Sequence, residues 1–137
     1  DPAIIPYLME KMKISAKTVN DILNKKSGLV GISGVSNDMR DLLSQAKKGN
    51  RRACLAFNMF LYRIKKYIGA YAAAMGGLDA VVFTAGIGEN IRSIRDTIRK
   101  DLQKVFKGNV NFMIVPTNEE LLIAKDTYRI VSLKMNK

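Results

Sequence analysis

The chain has no histidine, no tryptophan and one cysteine among its 137 residues. Without histidine, the commonest general base and the commonest zinc ligand are missing. A single cysteine, Cys54, excludes an intramolecular disulfide and fits a reducing, cytoplasmic setting. In a helical apolar context such a cysteine acts as a small, inert hydrophobe. Long hydrophobic runs are also absent. Stretches such as "VVF" and "LIA" fall far short of the roughly 20 residues a membrane-spanning helix needs, so no membrane role is expected. The start, "DPAIIPYLMEKMK", carries an early acid, shows no signal-peptide pattern and has no initiator Met, as expected of a piece of a longer chain. Acidic residues are few, 12 against 23 basic ones, for a net charge of +11. Such an excess suits nucleic acid, an anionic surface, a phosphorylated ligand or simply a solvated lysine-rich exterior. The basic residues are scattered, and the aromatics fall at apolar helix positions rather than between base-reading groups. No specific nucleic-acid interface is expected.

What is present reads as one domain with a real core, since 47% of the residues are hydrophobic. "SAKTVNDILNKKSG" predicts a helix with Ser15 as N-cap, a stripe of Val19, Ile22 and Leu23, and Gly28 closing it in the left-handed conformation. "LVGISGVSN" predicts a short strand and loop, after which Ser36 or Asn37 caps a helix ending at Gly49. From Arg51 to Met75, apolar residues from Ala53 through Phe57, Leu61, Ile64, Ile68, Tyr71 and Met75 keep a helical period that Gly76 and Gly77 stop. "AVVFT" predicts a strand buried on both faces. "ENIRSIRDTIRKDLQKVF" predicts one helix with Ile91, Ile94, Ile98, Leu102 and Val105 inward, and "VNFMIVP" a second strand parallel to the first. Thr117 and Glu120 form a capping box opening the last helix.

Two segments carry candidate chemistry. In "AVVFTAGIGEN" a strand hands over to a helix through Gly86 and Gly88, with Glu89 and Asn90 at the lip. Bare backbone at a strand's carboxyl end suits an anionic or flat ligand, although a tight turn without a ligand fits the glycines equally well. The third glycine of the dinucleotide fingerprint is replaced by Ile91, and no P-loop pattern occurs. In "GISGVSNDMRD", Asp38 suits ribose hydroxyls or an amino group, and Arg40 suits a purine face or a phosphate. Asp38 also serves as a helix cap, and the two roles are compatible.

"GLVGISGVSNDMRDL", "DAVVFTAGIGEN", "VPTNEELLIAKDTYRIV" and the opening "DPAIIPYLM" together closely resemble the C-terminal part of bacterial acetate kinases. The resemblance runs over essentially the whole chain, in order. It implies a partial RNase H-like domain of the actin-like ATPase superfamily: an α/β fold, helix-rich, with a small parallel sheet. Residues 1–116 would form the C-terminal nucleotide-binding domain, lacking its upstream strands, and 117–137 a helix returning to an N-terminal domain. The family's reaction is ATP plus acetate giving ADP plus acetyl phosphate, with Mg²⁺. By resemblance, Asp38, Met39 and Arg40 match the adenosine-contacting segment, Gly86, Ile87, Gly88, Glu89 and Asn90 the second nucleotide segment, and Glu119 the carboxylate supporting Mg²⁺. Read from the residues alone, Glu119 is a first-turn helix acid, and one carboxylate holds Mg²⁺ poorly without phosphates. The family's phosphate loop, its substrate-binding arginines and its transition-state histidine lie upstream, so no catalytic residue is assigned here and the chain alone is expected to be inactive. Homodimerisation is expected, with the long helix as the interface candidate. Propionate kinases look similar over these motifs. A basic nucleotide- or RNA-binding module and a purely structural dimerisation domain are the alternatives from other classes.

Overall fold

The computed structural model describes residues 1–106, 108 and 110–135. It divides into two compact units, Asp1–Tyr71 and Ala72–Lys137, with the boundary inside one helix.

The first unit is helical. Helix α1 (Ile4–Met12) lies outside the expected order of elements; its Pro6 is tolerated because it stands in the first turn, where an N–H is dispensable. Helix α2 (Ala16–Asp21) starts as expected, with Ser15 accepting from the Thr18 N–H at 3.2 Å. After Asp21 the backbone widens into a π-helical turn, Ile22–Lys26. That extra residue per turn rotates the expected stripe off the core: Val19 is buried, Ile22 half-buried, and Leu23 exposed. The expected strand at "LVGIS" is instead helix α3 (Gly28–Ser33), which begins at left-handed Gly28 and ends at left-handed Gly34. The Arg52 guanidinium satisfies the last carbonyls of α3, donating to Ile32 at 2.8 Å and Gly31 at 3.1 Å. Helix α4 (Met39–Lys47) and helix α5 (Arg51–Met75) follow, the latter with the expected bounds. The first unit's apolar core is Val19, Met39, Leu42, Ala53, Ala56 and Leu61. On α5 Ala53, Ala56, Leu61 and Ala72 are buried, whereas Tyr71 and Met75 are exposed.

The second unit is α/β. Strand β1 (Ala80–Phe83) pairs in parallel with β2 (Asn111–Ile114), from Ala80 opposite Asn111 to Phe83 opposite Ile114. Parallel pairing, with a helical connection, is as expected. Burial of β1 on both faces is not found. Val81 and Phe83 are buried, but Val82 is 49% exposed, because no described element covers that face. Between the strands stand α6 (Ala85–Asn90) and α7 (Arg92–Val105). The single expected helix is thus two, broken at Ile91, whose extended backbone ends one and starts the other. Ile94, Ile98 and Leu102 of α7 are buried as expected, whereas Val105 is 69% exposed at the helix end. Helix α8 (Glu119–Met135) follows β2.

Candidate functional site

The expected site residues fall in both units. Asp38, Met39 and Arg40 open α4 in the first. The capping role expected of Ser36 or Asn37 belongs to Asp38, which accepts from the Arg40 N–H at 2.8 Å. Ser36 stands one step back, its hydroxyl accepting from the Asp38 N–H at 2.9 Å. Asn37 turns the other way, its side-chain oxygen accepting from the Val30 N–H at 3.2 Å. The Arg40 guanidinium folds onto Asp38, with Nε 3.1 Å from each carboxylate oxygen. That charge-assisted contact, with the Arg40 backbone N–H behind it, lowers the Asp38 pKa to about 2 and raises that of Arg40. Met39 is 3% exposed, so its side chain belongs to the core.

Gly86, Ile87, Gly88, Glu89 and Asn90 form most of α6, so the expected loop is a helical turn. Neither glycine has a positive φ; that conformation belongs to Ala85, at +57°. Left-handed backbone costs an L-residue roughly 1–2 kcal/mol, so the surroundings must hold it. The two glycines differ. A Cβ on Gly88 would lie 3.4 Å from the Phe83 carbonyl carbon, whereas one on Gly86 would meet nothing within 4 Å. Gly88 therefore lets α6 sit against the end of β1, and Gly86 leaves an open wall. Arg95 of α7 holds the far end of α6, donating to the carbonyls of Gly88 at 2.8 Å and Glu89 at 2.6 Å.

Glu119 stands in the first turn of α8, just past the carboxyl end of β2. The parallel pairing brings the ends of β1 and β2 side by side, so α6 and the start of α8 face one cavity of about 400 Å³. Its walls include Gly86, Glu89, Thr117 and Glu119. The capping role expected of Thr117 belongs to Asn118, whose side-chain oxygen accepts from the Leu121 N–H at 3.0 Å. Thr117 turns the other way: its hydroxyl accepts from the Ala85 N–H at 2.9 Å and lies 2.8 Å from the Thr84 hydroxyl. Its own N–H donates to Glu89 at 2.8 Å. These bonds, the backbone one foremost, lower the Glu89 pKa. The sequence motifs assign Thr84 no role and mark Thr117 only as the N-cap of the last helix. The usable signal is a threonine just beyond each of two adjacent parallel strands.

A second hollow, about 190 Å³, lies between α7 and the sheet, lined by Arg92, Arg95, Arg99, Phe83 and Phe112. Its cations are engaged: Arg92 with Asp96 at 3.3 Å, Arg95 with the carbonyls above, and Arg99 over the Phe112 ring at 5.5 Å. Among the described residues no cluster of three acidic or sulfur ligands could hold a metal by itself.

The family model for the Acetokinase family matches residues 1–106. The chain belongs to the acetokinase family. It is 53% identical to the acetate kinase of Caldicellulosiruptor bescii, with 96% of this chain and 39% of that one covered. It is 55% identical to the acetate kinase of Thermoanaerobacterium thermosaccharolyticum, with 98% and 39% covered. Among solved structures it is similar to the acetate kinase of Porphyromonas gingivalis, at 43% identity and a TM-score of 0.80, over 96% of this chain and 38% of that one. A propionate kinase from Francisella tularensis is similar at 38% identity and a TM-score of 0.78, over 90% and 36%. The chain thus spans less than two-fifths of these relatives, consistent with a partial acetokinase.

One internal difference stands out within the family. The two curated matches run over 154 and 156 positions but use only 96% and 98% of a 137-residue chain. Those acetokinases therefore have roughly twenty positions without a counterpart here, a change of the kind loops absorb. The family match stops at residue 106, just past the end of α7.

Proposed function

We propose that this chain is the C-terminal nucleotide-binding part of an acetate kinase. The reaction of the parent enzyme is phosphoryl transfer between ATP and acetate, giving ADP and acetyl phosphate with Mg²⁺. The observation that carries this reading is the meeting of Gly86, Glu89 and Glu119 around one cavity at the carboxyl ends of two neighbouring parallel strands. Open α/β sheets bind ligands in that crevice. The identity with acetate kinases extends over nearly the whole chain and supports the assignment.

Each residue then has a role. The open backbone at Gly86 leaves room for a flat or phosphorylated group, and Ile87 and Asn90 complete the segment that approaches it. Gly88 serves by packing, since it allows α6 to reach β1. By resemblance to the family, Asp38, Met39 and Arg40 would supply the adenosine-contacting segment, in which Arg40, held by Asp38, offers a guanidinium plane suited to a purine. Glu119 and the nucleotide phosphates together would hold Mg²⁺. Glu119 lines the cavity together with Glu89 and Glu120, and Mg²⁺ commonly takes one or two carboxylates and completes its shell with phosphates and water. Bound Mg²⁺ would neutralise phosphate charge. This chain's own part is to bind and orient the nucleotide, because phosphoryl transfer depends on positioning and charge stabilisation. The chain has no histidine to stabilise the moving phosphoryl group. It should bind without turnover. In the parent, α8, whose Leu121, Leu122 and Val131 are exposed, would pack on the remainder of the enzyme, and α5 would contribute to a homodimer.

Titration of the chain with ADP, with and without Mg²⁺, tests this reading. Saturable binding that Gly86→Val removes, without loss of folding, is the expected result. Binding that falls steeply with salt and ignores Gly86→Val would point to a basic RNA-binding module instead. A propionate kinase parent is the second reading, favoured by the similarity to the Francisella tularensis structure. Acetate and propionate turnover by the parent enzyme separates the two.

A further inference from the structure

We propose that Thr117 is a positioning residue of the nucleotide site, a clasp that sets α6 and the Glu119 turn in one fixed relation. This rests on the functional reading above and adds a role that the binding residues themselves do not fill.

Thr117 makes contacts in both directions. Its hydroxyl accepts from the Ala85 N–H and meets the Thr84 hydroxyl, so it holds the first residue of α6. Its backbone N–H donates to Glu89, one helical turn further on. Helix α6 thus takes its N-terminal capping group from a residue 32 positions away, because Thr84, its own N-cap residue, makes no side-chain cap. The arrangement resembles a capping box, with side chain to backbone one way and backbone to side chain the other, but its halves lie in the segments that follow two different strands.

Two further observations make this more than a surface contact. The parallel ladder runs out with Val115 donating to the Phe83 carbonyl at 2.9 Å. The clasp closes immediately beyond, where the chains would otherwise part. Ala85 is also held at a φ of +57° that its own side chain disfavours. Asn118 and Glu119 follow Thr117 directly, so fixing Thr117 against α6 holds the backbone of the Glu119 turn at a set distance from the Gly86 wall. A ligand that bridges nucleotide and cation requires that distance to be constant.

The test uses Thr117→Val, which keeps shape and removes the hydroxyl, and Thr117→Ser, which restores it. Mg·ADP and metal-free ADP are titrated into each full chain, and backbone amide exchange is followed at Ala85 without ligand. Thr117→Val should weaken Mg·ADP by about tenfold, the lower end of what partners supporting a metal ligand carry. Metal-free ADP should weaken far less, and Ala85 exchange should accelerate by about tenfold as its N–H loses its acceptor. Thr117→Ser should return all three towards the starting values. If Thr117→Val does not fold, Thr84→Val removes one contact of the same clasp and should shift the same readouts by a smaller factor. A starting chain that binds no Mg·ADP overturns the functional reading and this inference with it. Binding that is present but equal in the starting chain and Thr117→Val overturns the inference alone, as does an equal loss of Mg·ADP and metal-free ADP.

Discussion

Two glycine-bearing segments, residues 31–41 in the first unit and 84–91 in the second, look alike in sequence and are held by different means. The first is organised mainly by its neighbours. Gly34 ends α3, Asp38 caps α4, and Arg40 folds back on Asp38 two residues away. Arg52 reaches in from further along the chain, and Asn37 reaches back to the Lys25 carbonyl. The second has little of its own. Thr84 does not cap, Ala85 sits at positive φ, and the α6 ends are held by Thr117 and Arg95. A local arrangement survives the loss of distant packing, whereas one built from separate strands forms only once those strands have paired.

The contrast is sharpest in the core. Leu42 and Ile98 are both fully buried, one in each unit. Leu42→Ala and Ile98→Ala should each lose about 2–5 kcal/mol in denaturant unfolding. Only Ile98→Ala should also raise amide exchange across α6, because α7 carries the Arg95 brace. Equal exchange changes in both segments would erase the distinction.

Next in size is the pair of glycines. Gly88→Val forces a branched side chain against the Phe83 backbone and should cost about 1–3 kcal/mol of stability. Gly86→Val meets open space and should change stability little, by about 0.5 kcal/mol or less in denaturant unfolding. If both lower stability equally, Gly86 also has a packing role.

For the local segment, Asp38→Ala removes a cap and should cost about 1 kcal/mol, with Asp38→Asn recovering most of it. Thermal unfolding of the three proteins measures this. The smallest effects are electrostatic. The Asp38 pKa is lowered from 3.8 to about 2, so its interaction with Arg40 is fully present above pH 4 and disappears as pH falls towards 2. Glu89 is also lowered, so its bond to Thr117 is present above the ordinary glutamate range and is lost on acidification below it. Carboxylate titration by NMR should show both groups below their usual values. Arg40→Ala should return Asp38 towards 3.8 and leave Glu89 unmoved.

Much of what depended on near neighbours was legible. Ser15 capping, the bounds of α5 at Arg51 and Met75, the inward row of Ile94, Ile98 and Leu102, and the parallel order of the strands follow from period, caps and connection length. The misreadings share a cause. "LVGIS" has strand-like composition but gains its helix from caps outside the segment, Arg52 among them. Thr117 and Glu120 satisfy the capping-box pattern, yet Asn118 does the capping because Thr117 is drawn to Ala85. Met39 is expected in a binding segment only by resemblance, and its burial was not legible, because that depends on which face of α4 the rest of the unit covers.

By itself the sequence determined the family, the long helix, the strand-to-helix handovers and the residues placed at them, since these depend on spacing and local bonding. Only the tertiary structure decided that Gly88 serves packing while Gly86 stays open, and that Gly86, Glu89 and Glu119 share one cavity. It also decided that Thr117 closes across two strands. The physical reason is that pairing β1 with β2 brings together groups about thirty positions apart, and no local period records which of them will meet.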